Sequence, residues 1–348
     1  MNSHSQGVYS HALSGPSGKE TISLALDILR PFLPTSLALY RRLQFGQFFP
    51  ETLLLTNFPT LDIRLASNKK DQWYLTFLDR SSRPETELWI FCSWEADPIP
   101  STPGQEEVQN DLIRNLLQCI KNLPLPESRH QHALAAEAAI QAIEDGIAST
   151  NDKDTSGQTH GDYIAHLQNP FIILLGAVHE KTAAIVHRLG ASEWGAPNHF
   201  YIFSSLPDSL PASSPLPEGL QWGHLQPSDF ALVRSRTQIP RQEKTLAILP
   251  QLAIRNAKGE PVAWAFVGLD GAVTTLHVEP EYRGQGIAKA ITAKLFREYM
   301  QGLWEDGVNN MSHAYVLVGN DASSAVCTSI GGRSGWIVEW IRVDLERV

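Results

Sequence analysis

Ala272-Val273-Thr274-Thr275-Leu276-His277-Val278-Glu279-Pro280-Glu281-Tyr282-Arg283-Gly284-Gln285-Gly286-Ile287-Ala288 decides how this chain folds. The tight-turn pair Asp270-Gly271 stands just before it, so a hairpin should deliver a strand over Ala272–Val278. Beyond Gly286, the apolar residues Ile287, Ile291, Leu295, Tyr299 and Leu303 recur every four positions. Lys289, Lys294, Arg297 and Glu298 fall between them, which describes a helix with one buried face. A strand that passes through Arg-Gly-Gln-Gly into a helix brings unpaired backbone N–H groups and a positive helix end to one point. Gly284 and Gly286 let the main chain approach an anion without a Cβ in the way, and Arg283 adds positive charge. Phosphate binding is the expectation, and a purely structural strand-to-helix turn is the competing reading.

Working outward, Leu252–Arg255 and Pro261–Leu269 read as strands joined by the turn Asn256-Ala257-Lys258-Gly259, so the quoted strand is third in an antiparallel meander. Downstream, His313–Val318 reads as a strand and Asp321–Ile330 as a short helix. Gly331-Gly332 stops that helix, and Trp336–Leu345 is a long final strand. Two other phosphate motifs fit poorly. A dinucleotide fingerprint needs a third glycine that Gly284-Gln285-Gly286-Ile287-Ala288-Lys289-Ala290 lacks, and a P-loop needs Gly-Lys-Ser/Thr.

The run Arg283–Ala288, R-G-Q-G-I-A, resembles the R/Q-x-x-G-x-G/A signature of the GNAT superfamily of acyl-CoA N-acyltransferases, and the order of elements is similar to that fold. Gly259–Trp264 through Pro280–Arg283 resembles the glycine N-acyltransferase-like branch. Gly331-Gly332 together with Trp340–Leu345 resembles its fungal members. The resemblance covers about residues 222–345. It is weaker in the first half, through Leu33–Leu37, Tyr40 and Phe58-Pro59.

It implies an α/β (α+β) GNAT fold, a mixed, mostly antiparallel sheet flanked by helices, in two tandem GNAT-like halves. It implies pantetheine along the backbone of Leu276, His277 and Val278, and pyrophosphate on the amides of Gly284, Gln285, Gly286, Ile287 and Ala288 beside Arg283. Asn320, opening the last helix, would contact the cofactor. The co-substrate would be acetyl-CoA or another acyl-CoA, and the acceptor a small-molecule amine or amino acid, acylated directly in a ternary complex.

Catalytic residues depart from the family pattern. The family's Glu base falls on Ala272, and the Tyr that follows the Asn by seven residues is Cys327. Glu279 and Tyr315 stand where other members place a base, against competing readings as a solvated strand-end carboxylate and a packed sheet aromatic. His277 and His313 rank below them unless a carboxylate sets the tautomer. A non-catalytic acyl-CoA-binding module is the alternative that the loss of the usual Glu and Tyr suggests.

The first half reads as helical over 20–46, broken at Pro31 and Pro34, followed by strands at Leu53–Leu55, Trp73–Leu78 and Glu87–Trp94. Helices over 105–122 and 130–148, a loop at Ser149–Asp162, a strand at Phe171–Ala177, a helix at Lys181–Leu189 and a strand at His199–Phe203 complete it. The Pro/Ser-rich Leu206–Gly219 reads as a connector. The expected domains are a flexible tail 1–19, a degenerate GNAT-like domain 20–205, a linker 206–219 and a catalytic domain 220–348. No internal repeat is visible residue by residue.

Bulk properties narrow the function classes. At 348 residues the chain exceeds the size of one typical core. A net charge of −9, with no basic run, argues against nucleic acid. No stretch has the apolar length of a membrane span or the core of a signal peptide. Cys92, Cys119 and Cys327 form neither a disulfide framework nor a zinc motif, and His130 and His132 would face different sides of a helix. The expectation is a cytoplasmic enzyme without a metal.

Overall fold

The computed structural model describes residues 7–46, 48–64, 71–126, 158–203, 215–236, 243–300 and 311–348. The expected helix at 130–148, with His130 and His132, and most of the 206–219 connector lie outside them. Two compact units result: residues up to Pro197 together with Ile337–Val348, and Asn198–Trp336.

The elements repeat in order along the chain. The first series is β1 (Tyr9–Ala12), α1 (Gly18–Leu29), α2 (Leu37–Phe45), β2 (Leu53–Thr56), β3 (Tyr74–Leu78), β4 (Leu88–Cys92), α3 (Pro103–Asn122), α4 (His160–Gln168), β5 (Ile172–His179), α5 (Glu180–Arg188) and β6 (Ser192–Phe203). The second is β7 (Gln221–Gly223), α6 (Phe230–Arg236), α7 (Glu243–Ile248), β8 (Gln251–Arg255), β9 (Pro261–Val267), β10 (Ala272–Val278), α8 (Ile287–Tyr299), β11 (Ser312–Leu317), α9 (Asp321–Ser329) and β12 (Arg333–Asp344). Apart from the added α4 the two series coincide. The halves therefore share a plan that no residue-level repeat displays.

Each half closes its sheet with the other's last strand. In the first unit the order is β1-β2-β3-β4-β5-β12, with β4–β5 parallel and β12 antiparallel to β5 from Val338↔His179 to Asp344↔Ile172. In the second it is β7-β8-β9-β10-β11-β6, with β10–β11 parallel and β6 antiparallel to β11 from Ser312↔Phe203 to Leu317↔Asn198. The first unit thus takes in residues 337–348, which a division into consecutive segments leaves with the second.

The expected loose tail over 1–19 is corrected in part. Tyr9–Ala12 pairs with β2, Val8 and Leu13 are buried, and α1 starts at Gly18. The Ser, Gly and His that make this stretch look unstructured do not prevent edge pairing.

In the second unit Ile287, Ile291, Leu295 and Phe296 of α8 pack on Ala263, Ala265 and Val267 of β9 and on Ala314 and Val316 of β11. The two alanines on β9 bring the helix close to the sheet, and each buried Ile, Leu or Phe contributes about 1.5–3 kcal/mol. That packing fixes where the helix begins. Among the described residues no helix is long and apolar enough to cross a membrane, and no group of three or more His, Cys, Asp or Glu is placed to hold a metal ion.

Candidate functional site

The site is built where β10 leaves β11. Their parallel pairing holds only at Ala272↔His313 and Val273↔Ala314. On its other edge β10 shifts register against β9 between Thr274 and His277, and Thr275 has φ 52°. A bulge of this kind bends the strand and strengthens its twist, so β10 turns away and the two strands part. Among the described residues the β10–β11 register is not continued at Leu276, His277 and Val278, which stay half-buried. An extended, amide-bearing chain could add alongside them as a strand does.

At the end of β10 the chain makes a short 3₁₀ turn, Pro280–Tyr282, and Arg283 Nε donates back to the Val278 carbonyl at 2.9 Å. Gly284 and Gly286 then take φ 75° and 77°, a region that costs L-residues about 1–2 kcal/mol. A Cβ at either would meet nothing within 4 Å, so the open space over the turn is available to a ligand. Gly286 is the N-cap of α8, and no side chain caps the helix. The first backbone bond of the helix runs from Ala290 N–H to Gly286 O, leaving the amides of Ile287, Ala288 and Lys289 ahead of the ladder. Arg283, Gly284, Gln285 and Gly286 are all exposed. The chemistry suits a phosphate.

Leu276, Val278, Ala314 and Val316 belong with the core under α8, so by strand alternation His277, Glu279 and Tyr315 stand on the opposite sheet face. The structure therefore brings Glu279 and Tyr315 to one face of the parted strands. Arg236, at the end of α6, donates to Glu279 Oε1 at 2.8 Å. His277 stacks on the buried Trp264 with ring centroids 4.6 Å apart, and its Nε2 lies 3.5 Å from Glu279 Oε2, at the outer limit of a hydrogen bond. Burial works to raise the Glu279 carboxyl, but Arg236 and His277 outweigh it and hold the group below the ordinary carboxylate range. For His277 burial dominates and lowers the imidazole despite Glu279. An ionised Glu279 beside a neutral imidazole can take up a proton.

Tyr315 has a different environment. Its hydroxyl donates to Asp270 Oδ2 at 2.6 Å, and His313 Nε2 lies 3.1 Å from the same hydroxyl. Burial and the Asp270 carboxylate push the phenol well above its usual value. A phenol so raised is held as a neutral hydroxyl and is poorly suited to act as a base. Burial also works to raise Asp270, but hydrogen bonds from His313 and Tyr315 prevail and keep it low.

Asn320 is the N-cap of α9, and its side-chain oxygen accepts from Ser323 N–H at 3.1 Å. Cys327 packs in the α8 core, and burial pushes its thiol up to about 11. It is the small apolar residue that a lone helix cysteine usually is. Sequence reasoning missed Asp270 and Arg236. Asp270 was visible only as half of a turn signal, and Arg236 lies in a segment without a motif.

Residues 16–204 match the family described as the acyl-CoA N-acyltransferase verG N-terminal domain, a match over more than half of the chain. The chain belongs to this acyl-CoA N-acyltransferase family. A solved Drosophila protein is similar in fold over 96% of this chain and 99% of its own, at 14% identity and a TM-score of 0.58. A GCN5-related N-acetyltransferase from Sphaerobacter thermophilus aligns at 12% identity over 98% and 96% of the two chains, with a TM-score of 0.44. A tandem GNAT protein from the clavulanic acid biosynthesis pathway aligns at 12% over 96% of each, with a TM-score of 0.42. No curated protein sequence matches.

Within this acyl-CoA N-acyltransferase the first half treats the corresponding turn differently. α3 opens with Pro103 and a capping box, in which Thr102 Oγ1 accepts from Gln105 N–H and the Gln105 side chain accepts from Thr102 N–H. The Thr102 and Gln105 amides are thus engaged by side chains of the helix start itself. The Lys181 ammonium donates to the carbonyls of Trp94 and Glu95 at 3.2 Å each, and also to that of Asp97, tying down the loop after β4. A cleft of about 650 Å³ lies beside the helix start, and among its lining residues the ionisable one is Asp71, a poor neighbour for phosphate.

Proposed function

We propose that the second half binds acyl-CoA at the glycine turn and along Leu276–Val278 of β10, and catalyses direct acyl transfer to the amine of a small molecule. The observation that carries this reading is the contrast between two equivalent helix starts: α8 is uncapped behind Gly284 and Gly286, whereas α3 is closed by Thr102 and Gln105. Family membership supplies the reaction class.

In this reading the amides of Gly284–Ala288, with Arg283 and the helix end, hold the pyrophosphate, and Leu276–Val278 align the pantetheine. Acetyl-CoA is the proposed donor. Transfer forms a C–N bond to the acceptor and breaks the thioester C–S bond. Glu279, with His277 behind it, takes the proton released by the amine, and Tyr315 orients the acceptor as a neutral hydroxyl. No residue of the first half is needed for these steps.

The test is thiol release from acetyl-CoA with and without a panel of small amines. Amine-dependent release, reduced at least tenfold by Glu279→Gln, supports an enzyme. Tight acetyl-CoA binding without turnover on any amine would favour an acyl-CoA-binding module.

A further inference from the structure

Resting on that reading, we infer that the acceptor is an amine joined through a short chain to a flat aromatic group and lacking a carboxylate, with its ring against Trp336.

On the face that carries Tyr315, three rings form a parallel stack. His313 and Phe200 are 5.0 Å apart at 9°, and Phe200 and Trp336 are 4.8 Å apart at 14°. Tyr315 meets Phe200 edge-on at 5.4 Å and 73°, because the β6–β11 register sets the two residues opposite each other. Phe200 and His313 are fully buried, while Trp336 and Tyr315 remain partly open. The stack therefore runs from a polar inner end to a partly open indole. A flat apolar group is what such a wall recognises.

Charge selects the other end of the acceptor. Asp270 is 4% exposed, and its partners are Tyr315, His313 and the Ala272 amide, with no Lys or Arg among them. A buried carboxylate paired among the described residues with His313 but with no Lys or Arg favours an ammonium group over an anion nearby. The guanidinium of Arg236 is already engaged with Glu279. An acceptor carboxylate such as that of glycine would meet Asp270 and Glu279, and among the described residues the guanidinium beside them is already paired. A polar aminosugar would leave hydroxyls against rings.

The experiment compares kcat/KM for 2-phenylethylamine and tryptamine with that for n-butylamine, glycine and glucosamine, using acetyl-CoA and full-length protein. The two ring-bearing amines should be preferred by about tenfold or more, the scale of discrimination an apolar pocket provides. Trp336→Ala should raise KM for them by a similar factor and narrow the preference, with an unchanged Kd for acetyl-CoA, and Trp336→Phe should restore most of it. Equal or better turnover of glycine, glucosamine or butylamine overturns the inference, as does a Trp336→Ala loss shared equally by all amines. Acetyl-CoA binding without transfer to either ring amine overturns it too, whereas absence of acetyl-CoA binding defeats the underlying functional reading. Should Trp336→Ala not fold, calorimetry of tryptamine on the wild-type CoA complex decides: micromolar binding supports the inference and no binding ends it.

Discussion

The Tyr315 hydroxyl donates to Asp270 Oδ2 at 2.6 Å, a bond that crosses from β11 to the turn preceding β10 just where these strands begin to part. It ties the apex of the cleft together and commits the phenol's proton to a buried carboxylate. Removing the hydroxyl deprives that carboxylate of a charge-assisted bond worth about 1.5–3 kcal/mol. Tyr315→Phe should lose stability on that scale in urea denaturation, together with a fall in acyl transfer. A variant as stable as wild type would show that the bond does not form in solution.

Glu279 gives a pH prediction. As a base it must be ionised, so activity is lost as pH falls through its pKa, which Arg236 and His277 hold below the ordinary range. Wild type should show no Glu279 limb in kcat/KM between about pH 5 and 8. Arg236→Ala removes the guanidinium at 2.8 Å and should move the acid limb upward. Identical profiles for the two proteins would remove Glu279 from the mechanism.

A second pH effect belongs to the first half. Glu95 is buried, accepts from Thr182 Oγ1 at 2.6 Å, and is pushed by burial up to about 8. Its folded pKa lies above the unfolded one. The folded state therefore binds the extra proton, and this contribution is complete below the unfolded pKa and lost as pH rises towards 8. Stability should decline across that window by up to about 1.4 kcal/mol per pH unit from this group. Glu95→Gln should flatten the decline, as read by denaturation midpoints at pH 5 and pH 8. Parallel slopes in the two proteins would contradict it.

The two helix starts predict opposite sensitivities. Thr102→Ala breaks the capping box of α3 and should cost about 1 kcal/mol of stability without changing the Kd for acetyl-CoA. A weakened Kd would mean that the first half takes part in binding.

Much of the second half was legible because its signals are local. Asp270-Gly271 closes a hairpin, and Gly284 and Gly286 sit at positive φ, where the backbone requires glycine. The exchange of β6 and β12 was not legible, because the pairing of Ile341 with Leu175 joins residues far apart in sequence and leaves no local mark on either strand. The expected strand at His199–Phe203 runs back to Ser192, although Glu193, Gly195, Ala196, Pro197 and Asn198 carry little strand propensity. Site residues divide along the same line. Those whose role depends on main-chain shape were found from spacing, whereas Asp270 and Arg236 act through side chains that meet their partners only in the folded sheet.

The most direct measurement is calorimetric titration of acetyl-CoA into the wild-type chain and into a variant carrying Gly284→Glu and Gly286→Glu. Glu at these positions adds both left-handed backbone strain and carboxylates facing the phosphate site. Wild type should show one micromolar site per chain, weakened at least tenfold in a folded variant. Absence of binding by wild type, or undiminished binding by the variant, would contradict it.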